Sequence, residues 1–561
     1  MRKNTLFFII ILFLVIAGGG LAASQNLRKA ALAGVVRSDA EGPMEGVLVS
    51  AKLSGGIITV TVVSDAKGRY AFPAGSLQPG KYNLAIRAVG YDAPASGLAA
   101  SVDDNRTAQL DIKLSKTQDL ASQLSAAEWL MSVPGTEEQK ANLYTCIECH
   151  TAAPIMKSTY DAAGWMTTIV RMRNYSPQST LSNPILLPYR NGPRPQDAEF
   201  AQYLSSINLS SRPKWNFALK TLPRPTGADT KVIITEYDLP KPDRQPHDVV
   251  VDAEGMVWYE DFALPLVGRM DPKNGEVKEW PLPELKADFP AGSLDLELDH
   301  EGNPWIARVF QAGISKFDRK TEKITSWTIP PEYNNAHTRT AFLAVAKQGF
   351  VWIDDSTGRR MNKLDPATGK MESFPTFPGW TRPEVDYGVG RKGPTALGHL
   401  VYGIGVESKG VSVFADRAGS NIGEIDPETG KVELYPTPST NSGPRRLHVD
   451  SQDRVWFAEN YAFKLALFDT KTKQFQEWAD PTPWDAPYDV VCDKDGNLWT
   501  GGMTTDLVTR LNPKTGQFFK YLLPNLGVNI RRVDVDNSTP RPTFWVGENH
   551  SAKIAKIELL E

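Results

Sequence analysis

Hydrophobic and polar residues alternate in short runs through residues 31–115, and each run ends at a turn sequence. The runs include residues 47–49 and 82–86, and the turns include Asp65-Ala66-Lys67-Gly68 and Gln78-Pro79-Gly80. Asp supplies local hydrogen bonds in such turns, and Gly adopts the positive φ that several of them require. This alternation with a period of two predicts a small β-sandwich.

The pattern changes to a helical spacing in residues 116–210. Apolar residues recur at intervals of three and four, which predicts an all-α segment. Acidic residues at the start of the second stretch favour the beginning of a helix there. The predicted helices cover residues 119–131, 136–144, 161–173 and 197–207.

Residues 230–561 contain a repeat with a strand, an Asp-x-x-Gly turn, a strand that carries Trp, and two strands around an Asp-Pro-x-x-Gly turn. Four strands in each 40–50 residues indicate β-propeller blades, and the copies number seven. The last copy lacks an outer strand, so residues 232–240 are expected to complete it and close the ring. The aromatic positions that mark the copies are Trp258, Trp305, Trp352, Phe414, Trp456, Trp499 and Trp545.

The first 23 residues have the pattern of an export signal. Arg2 and Lys3 precede an apolar run at residues 6–17, and small residues follow. This order predicts a signal peptide that is cleaved near Ala22 or Ala23. An uncleaved anchor is the alternative, because the apolar and small residues together reach the lower length limit of a membrane span. We therefore expect export to the periplasm, with membrane contact only if the segment is retained.

Charge and cysteine usage exclude two classes of protein. The 62 Lys and Arg nearly balance the 65 Asp and Glu, and no dense basic run indicates a nucleic-acid partner. With only three cysteines, the chain is not a disulfide scaffold. Cys492 stands alone after an apolar strand and is expected to be a small buried residue.

The other two cysteines belong to the sequence Cys146-Ile147-Glu148-Cys149-His150. This pattern places two thiols on one helical turn, where they can add to the vinyl groups of a haem while His150 ligates the iron. A zinc site or a redox dithiol is the alternative for the motif alone, but no second cysteine pair completes a zinc site. The motif therefore predicts one covalent haem c at Cys146, Cys149 and His150.

The second axial ligand of the iron must come from elsewhere in the chain. The remaining histidines all lie in the propeller, so a local histidine ligand is not expected. Trp165, Ile169 and Met172 share one apolar face of a predicted helix, which favours Met172. Its alternative role is core packing, which Met often serves. The methionines considered are Met131, Met156, Met166 and Met172.

Polar positions at the blade ends are expected to converge at one mouth of the propeller channel. A mixed ring of His, Arg and carboxylates can bind a metal or orient a polar ligand, and a solvated charged rim is the alternative. The residues that start innermost strands are His247, Arg339, His399, Arg445, Arg446, Arg531 and Arg532. The residues that end second strands are Glu260, Asp261, Arg308, Asp354, Asp355, Asp416, Glu459, Asn460 and Glu548.

Each of the three parts resembles a known family. Residues 31–115 resemble the carboxypeptidase regulatory-like domain, on Gly34-Val35-Val36 and Ser64-Asp65-x-x-Gly68. That resemblance implies a transthyretin-like sandwich without catalytic residues, serving as a spacer or adhesion module. Residues 116–210 resemble small class I-like monohaem cytochromes. Residues 230–561 resemble the virginiamycin B (streptogramin B) lyase family of seven-bladed propellers.

The lyase resemblance implies a Glu-x-His pair with a further His and Glu around Mg²⁺, for a ring-opening elimination. Glu548-Asn549-His550 has the pair spacing, and His247 and Glu459 are the other candidates. The preceding blade departs from the family pattern, because its second strand ends at Gly501-Gly502-Met503. Mg²⁺ at the propeller mouth is therefore a second candidate cofactor.

The expected fold is multidomain and mainly β, with a transthyretin-like sandwich, a small all-α cytochrome c segment and a seven-bladed propeller. The leading hypothesis is an exported c-type cytochrome that transfers electrons, with a propeller that binds a substrate or a redox partner. A lyase similar to the streptogramin B lyases is the second hypothesis. The third is a binding module of the cell envelope.

Overall fold

The computed structural model describes residues 30–180, 183–357, 359–380 and 398–560. The expected signal peptide or anchor lies outside these residues. Within them, no helix has the length and apolar character needed to cross a membrane.

The N-terminal part is the predicted β-sandwich. One sheet is built on β1, which pairs with β2, β5, β9 and β10, and β10 pairs with β7; the order β4-β3-β6-β8 forms the other. Buried apolar side chains of the two sheets, such as Leu32, Val49 and Tyr70, form its core. The strands are β1 (Leu32–Ser38), β2 (Gly42–Pro43), β3 (Leu48–Leu53), β4 (Ile58–Val63), β5 (Arg69–Phe72), β6 (Gly80–Arg87), β7 (Tyr91–Asp92), β8 (Leu98–Val102), β9 (Ala108–Gln109) and β10 (Ile112–Lys116).

The middle part is helical, with one predicted helix shorter than expected. Ser125 caps the first helix through the backbone N–H of Glu128, so residues 120–122 form a separate 3-10 turn and the helix begins at residue 126. The sequence pattern also missed one short helix. The helices are α1 (Ala126–Ser132), α2 (Glu137–Ile147), α3 (Ala153–Met156), α4 (Ala162–Met172) and α5 (Asp197–Ile207), and a second 3-10 turn covers Gly227–Thr230.

The C-terminal part is a propeller of seven four-stranded units, with antiparallel neighbours in each. Blades one to three contain β12 (Pro246–Val251), β13 (Val257–Asp261), β14 (Leu266–Met270), β15 (Val277–Pro281), β16 (Asp295–Leu298), β17 (Pro304–Arg308), β18 (Gly313–Asp318), β19 (Lys323–Thr328), β20 (Leu343–Val345), β21 (Val351–Asp355), β22 (Arg360–Leu364) and β23 (Met371–Pro375). Blades four to six contain β24 (Val401–Val406), β25 (Ser412–Asp416), β26 (Asn421–Ile425), β27 (Val432–Pro436), β28 (Pro444–Val449), β29 (Arg454–Glu459), β30 (Lys464–Asp469), β31 (Gln474–Ala479), β32 (Val491–Cys492), β33 (Leu498–Gly501), β34 (Leu507–Asn512) and β35 (Gln517–Leu522).

The seventh blade closes the ring in the way the sequence predicts. It contains β36 (Val533–Asp536), β37 (Thr543–Glu548), β38 (Lys553–Leu559) and, as its outer strand, β11 (Val232–Asp238) from the start of the propeller. The other edge of β11 pairs with β4 of the sandwich, so blade and sandwich form one eight-stranded sheet. A covered edge strand offers no free backbone donors or acceptors to another chain.

A repeated hydrogen bond explains why the Asp-x-x-Gly turn and the Trp recur together. The indole Nε1 of Trp258 donates to Asp252 Oδ2 at 2.8 Å, and Trp499 donates to Asp493 in the same way at 2.8 Å. The Asp also accepts backbone N–H groups of its own turn. Four blades thus fix their inner turn with a buried Trp, which are those of Trp258, Trp305, Trp456 and Trp499.

Candidate site between the haem motif and the propeller channel

The helical segment packs directly on one end of the propeller. Trp484, Tyr488 and Met503 of the propeller belong to the same buried cluster as Trp129 and Tyr144 of the helices. The Tyr144 hydroxyl, two residues before the first motif cysteine, donates to Asn460 Oδ1 at 2.8 Å. The motif is therefore held at the channel end by buried apolar contacts and a buried hydrogen bond.

Both motif thiols are free, half-buried and not joined in a disulfide. Cys146 lies in the last turn of α2, and Cys149 follows just after the helix end. Burial, followed by the neighbouring Cys149, raises the pKa of the Cys146 thiol to about 12. Burial also raises the pKa of Cys149. The two thiols are the groups that either a covalent haem or a disulfide would use, and the dithiol alternative stays open.

The imidazole of His150 contacts the backbone of the next residue. Its Nδ1 lies 2.8 Å from the carbonyl oxygen of Thr151, a contact that requires the proton on Nδ1. The other ring nitrogen, Nε2, is then a lone-pair donor for a metal. A metal-bound histidine commonly donates its second N–H to a backbone carbonyl in this way, which fixes its tautomer and ring plane. The two free thiols and His150 Nε2 are the groups that would hold a covalent haem.

The four methionines considered as the second axial ligand have different environments. Met156 is fully buried, and Met131 and Met166 pack against the helical core. Met172, at the end of α4, is 43% exposed, so its expected place on the inward face with Trp165 and Ile169 is wrong, and core packing is not its role either. Met172 remains the predicted ligand.

Glu148, between the two cysteines, points into the propeller mouth. Its Oε1 accepts hydrogen bonds from Arg417 Nη2 at 2.7 Å and from Arg445 Nη1 at 3.3 Å. Arg531 Nη2 donates to the backbone carbonyl of Glu148. Burial opposes ionisation of the carboxyl, but the charges of Arg417, Arg445 and Arg531 outweigh it and hold the pKa of Glu148 below its ordinary value. Glu148 is thus an ionised carboxylate that occupies an opening lined by arginine side chains.

Two tyrosines line the opening beneath Glu148. The hydroxyls of Tyr402 and Tyr488 share a hydrogen bond of 2.7 Å, and Arg445 Nη2 donates to Tyr402 at 3.2 Å. Burial raises the pKa of Tyr402, but the charges of Arg445 and Arg417 lower it more, so the net shift is downward. The arginines at the opening therefore stabilise negative charge on a group bound there.

One group in the described part of the chain has the spacing of a metal site: His247, Asp248 and Glu260, with ligand atoms within 4.8 Å of one another. Arg446 Nη2 already donates to both carboxylate oxygens of Asp248, at 3.1 and 3.0 Å. His247 Nδ1 lies 2.7 Å from Asp248 Oδ1, which places its proton there. Burial, followed by the charge of Asp248, raises the pKa of Glu260 well above its ordinary value, and Glu260 Oε2 has no hydrogen-bond partner among the described residues. Arg446 supplies one positive charge beside Asp248, and the unpartnered oxygen of Glu260 leaves this cluster a candidate site for a metal ion.

The residues proposed from the lyase resemblance do not come together as a metal centre. Glu548 Oε2 accepts from Asn525 at 2.7 Å, and burial followed by the charge of Glu236 raises its pKa well above the ordinary value. Burial and the charge of Glu477 raise the pKa of Glu459 to about 8. Among the described residues, neither Glu548 nor Glu459 belongs to the cluster of His247, Asp248 and Glu260 that could hold a metal.

His550 lies beside the haem motif instead. Burial, then Arg531, then His150 lower the pKa of His550 to about 3. The expectation that no local histidine is available as the second axial ligand is therefore wrong, because the helical segment docks on the propeller and brings His550 close to the motif. A neutral His550 next to His150 is a feature that the sequence spacing could not show.

The converging ring of polar residues is buried, so the solvated-rim alternative is wrong for most of it. Arg446 and Arg532 bind Asp295 at 2.7 Å each, deep in the channel. Two other members of the predicted ring have different partners: Arg339 donates to the Tyr189 hydroxyl, and His399 Nδ1 contacts the carboxylate of Asp416. The sequence analysis missed six members of the site, which are Glu148, Asp248, Asp295, Tyr402, Arg417 and Tyr488. Arg417 directly follows Asp416 of the predicted ring, so that position could have signalled it.

Comparisons with known proteins support the two β parts of the chain. Residues 31–115 match the carboxypeptidase regulatory-like domain, and residues 394–560 match the virginiamycin B lyase family. Neither match covers the helical segment, residues 116–210. No curated protein sequence matches the chain.

Two solved structures share the propeller. Virginiamycin B lyase from Staphylococcus aureus is 20% identical, with a TM-score of 0.50, over 58% of this chain and 99% of its own. A streptogramin B lyase structure is 21% identical, with a TM-score of 0.50, over 60% of this chain and 100% of its own. At these identities the likeness establishes a lyase-like propeller fold and not an activity.

Proposed function

We propose that the chain is an exported c-type cytochrome that passes electrons through a haem held against the propeller mouth. Cys146 and Cys149 would form the two thioether bonds, and His150 Nε2 would ligate the iron. The observation that carries the proposal is the Nδ1 contact of His150 with the Thr151 carbonyl at 2.8 Å, beside two free thiols. When bound, the haem supplies one-electron oxidation and reduction.

The protein's own residues orient and shield that group. The Thr151 carbonyl fixes the imidazole, and the buried cluster around Tyr144 holds the motif on the propeller. Glu148 connects the motif to Arg417, so the redox centre lies next to the channel opening. We infer that the redox partner or substrate is bound at this mouth, in the periplasm.

A redox titration of the haem-loaded chain, together with its optical spectrum, tests the electron-transfer function. A His/Met ligand pair raises the potential relative to His/His. If Met172 is the second ligand, Met172→Ala lowers the potential and changes the spectrum. The matched control, Met156→Leu, changes a buried core methionine and leaves the potential unchanged. A chain that binds haem but shows no reversible redox change contradicts the proposal.

A metal-dependent lyase is the second candidate, supported by the family match over residues 394–560. The printed names of the similar structures point to streptogramin B antibiotics as the substrate class to test. Against it stand the raised pKa of the buried Glu548 and the position of Glu148 in the channel opening. Incubation of the full chain with such an antibiotic and Mg²⁺ decides: linearised product that is lost in His550→Ala supports the lyase, and intact antibiotic excludes it.

A further inference from the structure

Three arginines from different blades surround the carboxylate of Glu148. Arg417 follows β25, Arg445 lies in β28 and Arg531 precedes β36. All three side chains are buried. We call Arg417, Arg445 and Arg531 the arginine cage. The hydroxyl of Tyr461 accepts a further hydrogen bond from Arg417 Nη2 at 2.5 Å.

The arginine cage holds more positive than negative charge. Among the described residues, Glu148 is the carboxylate that forms ion pairs with Arg417 and Arg445, and Arg531 has none. The Nε atoms of all three cage arginines are buried without a hydrogen-bond acceptor. Three guanidinium groups therefore face one carboxylate, and the excess of charge, not the unused Nε donors that Arg446 and Arg532 also have, distinguishes the cage.

The arginines one layer deeper show that this imbalance is local. Arg446 pairs with Asp248 and Asp295, and Arg532 pairs with Asp295 and Glu297. Each arginine of the deeper layer thus pairs with two carboxylates, whereas the three cage arginines have, within the described part of the chain, only Glu148 between them. Burying cations without counterions is costly, so the cage is expected to attract an anion.

We propose that the arginine cage is a carboxylate-binding site, in which Glu148 occupies the position of a dianionic ligand. Guanidinium groups match carboxylates in shape and in paired hydrogen bonds. A ligand with two carboxylates balances the three guanidinium charges better than Glu148 does, and so displaces it. The site consists of propeller side chains, so it stands whether or not a haem is attached.

Two sources offer this chemistry: a free dicarboxylate and the two propionates of an attached haem. The probe is malonate, titrated by calorimetry at low ionic strength into the full chain made without haem and with haem. Malonate binding to both forms identifies a free anion as the ligand. Binding to the haem-free form alone identifies the propionates. Failure of haem attachment would leave the haem-free titration valid.

Substitutions distinguish malonate binding at the arginine cage from unspecific attraction of malonate to positive charge. Glu148→Ala removes the resident carboxylate and is expected to tighten malonate binding at least tenfold. Arg531→Gln is expected to weaken binding at least tenfold, and Arg445→Lys, which keeps the charge, weakens it by losing the paired geometry. The control is Arg541→Gln, at an exposed arginine of the same propeller. Malonamide, which is uncharged, should not bind.

Thermal unfolding of each variant checks that the fold is retained. The proposal is overturned if neither the haem-free chain nor Glu148→Ala binds malonate. It is also overturned if Arg531→Gln and Arg445→Lys, both folded, bind malonate as the Arg541→Gln control does.

Discussion

Glu148 lies between the two cysteines of the haem motif, and its carboxylate accepts a hydrogen bond from Arg417 of the propeller at 2.7 Å. The two residues are 269 positions apart in the chain. This ion pair, together with the Tyr144–Asn460 hydrogen bond and the buried apolar cluster, connects the segment that would carry the redox centre to the channel of the propeller. Docking of the two parts and the chemistry at the mouth depend on the same ion pair.

Replacing Glu148 with Gln should loosen the helical segment from the propeller. The amide keeps the shape but leaves the buried Arg417 and Arg445 without an anionic partner. Breaking a buried ion pair from one side costs about 3 kcal/mol. Hydrogen exchange of the α2 amides should become about a hundredfold faster where it proceeds by opening of this contact.

The control for that change is Glu199→Gln, at an exposed carboxylate of α5 in the same segment. It should alter exchange in α2 by less than about threefold, because exposed substitutions change stability by about 0.5 kcal/mol or less. Equal exchange in Glu148→Gln and Glu199→Gln would show that the ion pair does not hold the segment in place.

Replacing Glu459 with Gln should stabilise the protein increasingly as the pH rises. The folded state raises the pKa of Glu459 from an ordinary value of 4.5 to about 8, first through burial and then through the charge of Glu477. The folded protein binds this proton more tightly than the unfolded chain. Stability from this group is therefore full below about pH 4.5 and is lost as the pH rises to about 8.

Gln cannot ionise, so the variant does not lose this stability as the pH rises. The difference in unfolding temperature between Glu459→Gln and the parent protein should be near zero at pH 4.5 and should favour the variant at pH 8.5. A constant difference across this range would mean that Glu459 is ionised in the folded protein. The same variant tests the lyase candidate, because an essential Glu459 would abolish that activity.

Replacing Arg87 with Ala should weaken the contact between sandwich and propeller. Arg87 Nη2 pairs with the buried Asp506 at 2.8 Å, and its guanidinium also donates to the carbonyl of Leu523 at 2.6 Å. Loss of the cation leaves Asp506 buried without its partner, at a cost of about 3 kcal/mol. Urea unfolding measures this cost.

The exposed Arg106, paired with Asp103 on the sandwich surface, provides the control. Arg106→Ala should lower the free energy of unfolding by no more than about 0.5 kcal/mol. An Arg87→Ala variant as stable as Arg106→Ala would show that the continuous sheet between β4 and β11 alone holds the sandwich.

The sequence predicted the elements that are set by local chemistry. The Trp258–Asp252 hydrogen bond spans six residues, so the blade repeat is visible as a spacing. The outer strand at the start of the propeller could be matched to the outer strands of other blades, which predicted the ring closure. The Cys-x-x-Cys-His motif is likewise a local pattern.

The arrangement of the site could not be predicted, because it depends on contacts between distant segments. Nothing near Glu148 in the sequence indicates that it faces Arg417, Arg445 and Arg531. The pairing of β4 with β11 also joins two parts that look independent as sequences. His550 was assigned to a lyase pair from its spacing, whereas docking of the helical segment places it beside His150.

The central claim is that a haem is covalently attached at Cys146 and Cys149 and ligated by His150. The most direct test is the mass and absorption spectrum of the chain, produced with a cytochrome c maturation system and then denatured. We predict one haem per chain that remains attached after denaturation, is lost in Cys146→Ala/Cys149→Ala, and is retained in the Cys492→Ala control. A chain without haem, or a haem that separates on denaturation, would contradict the account.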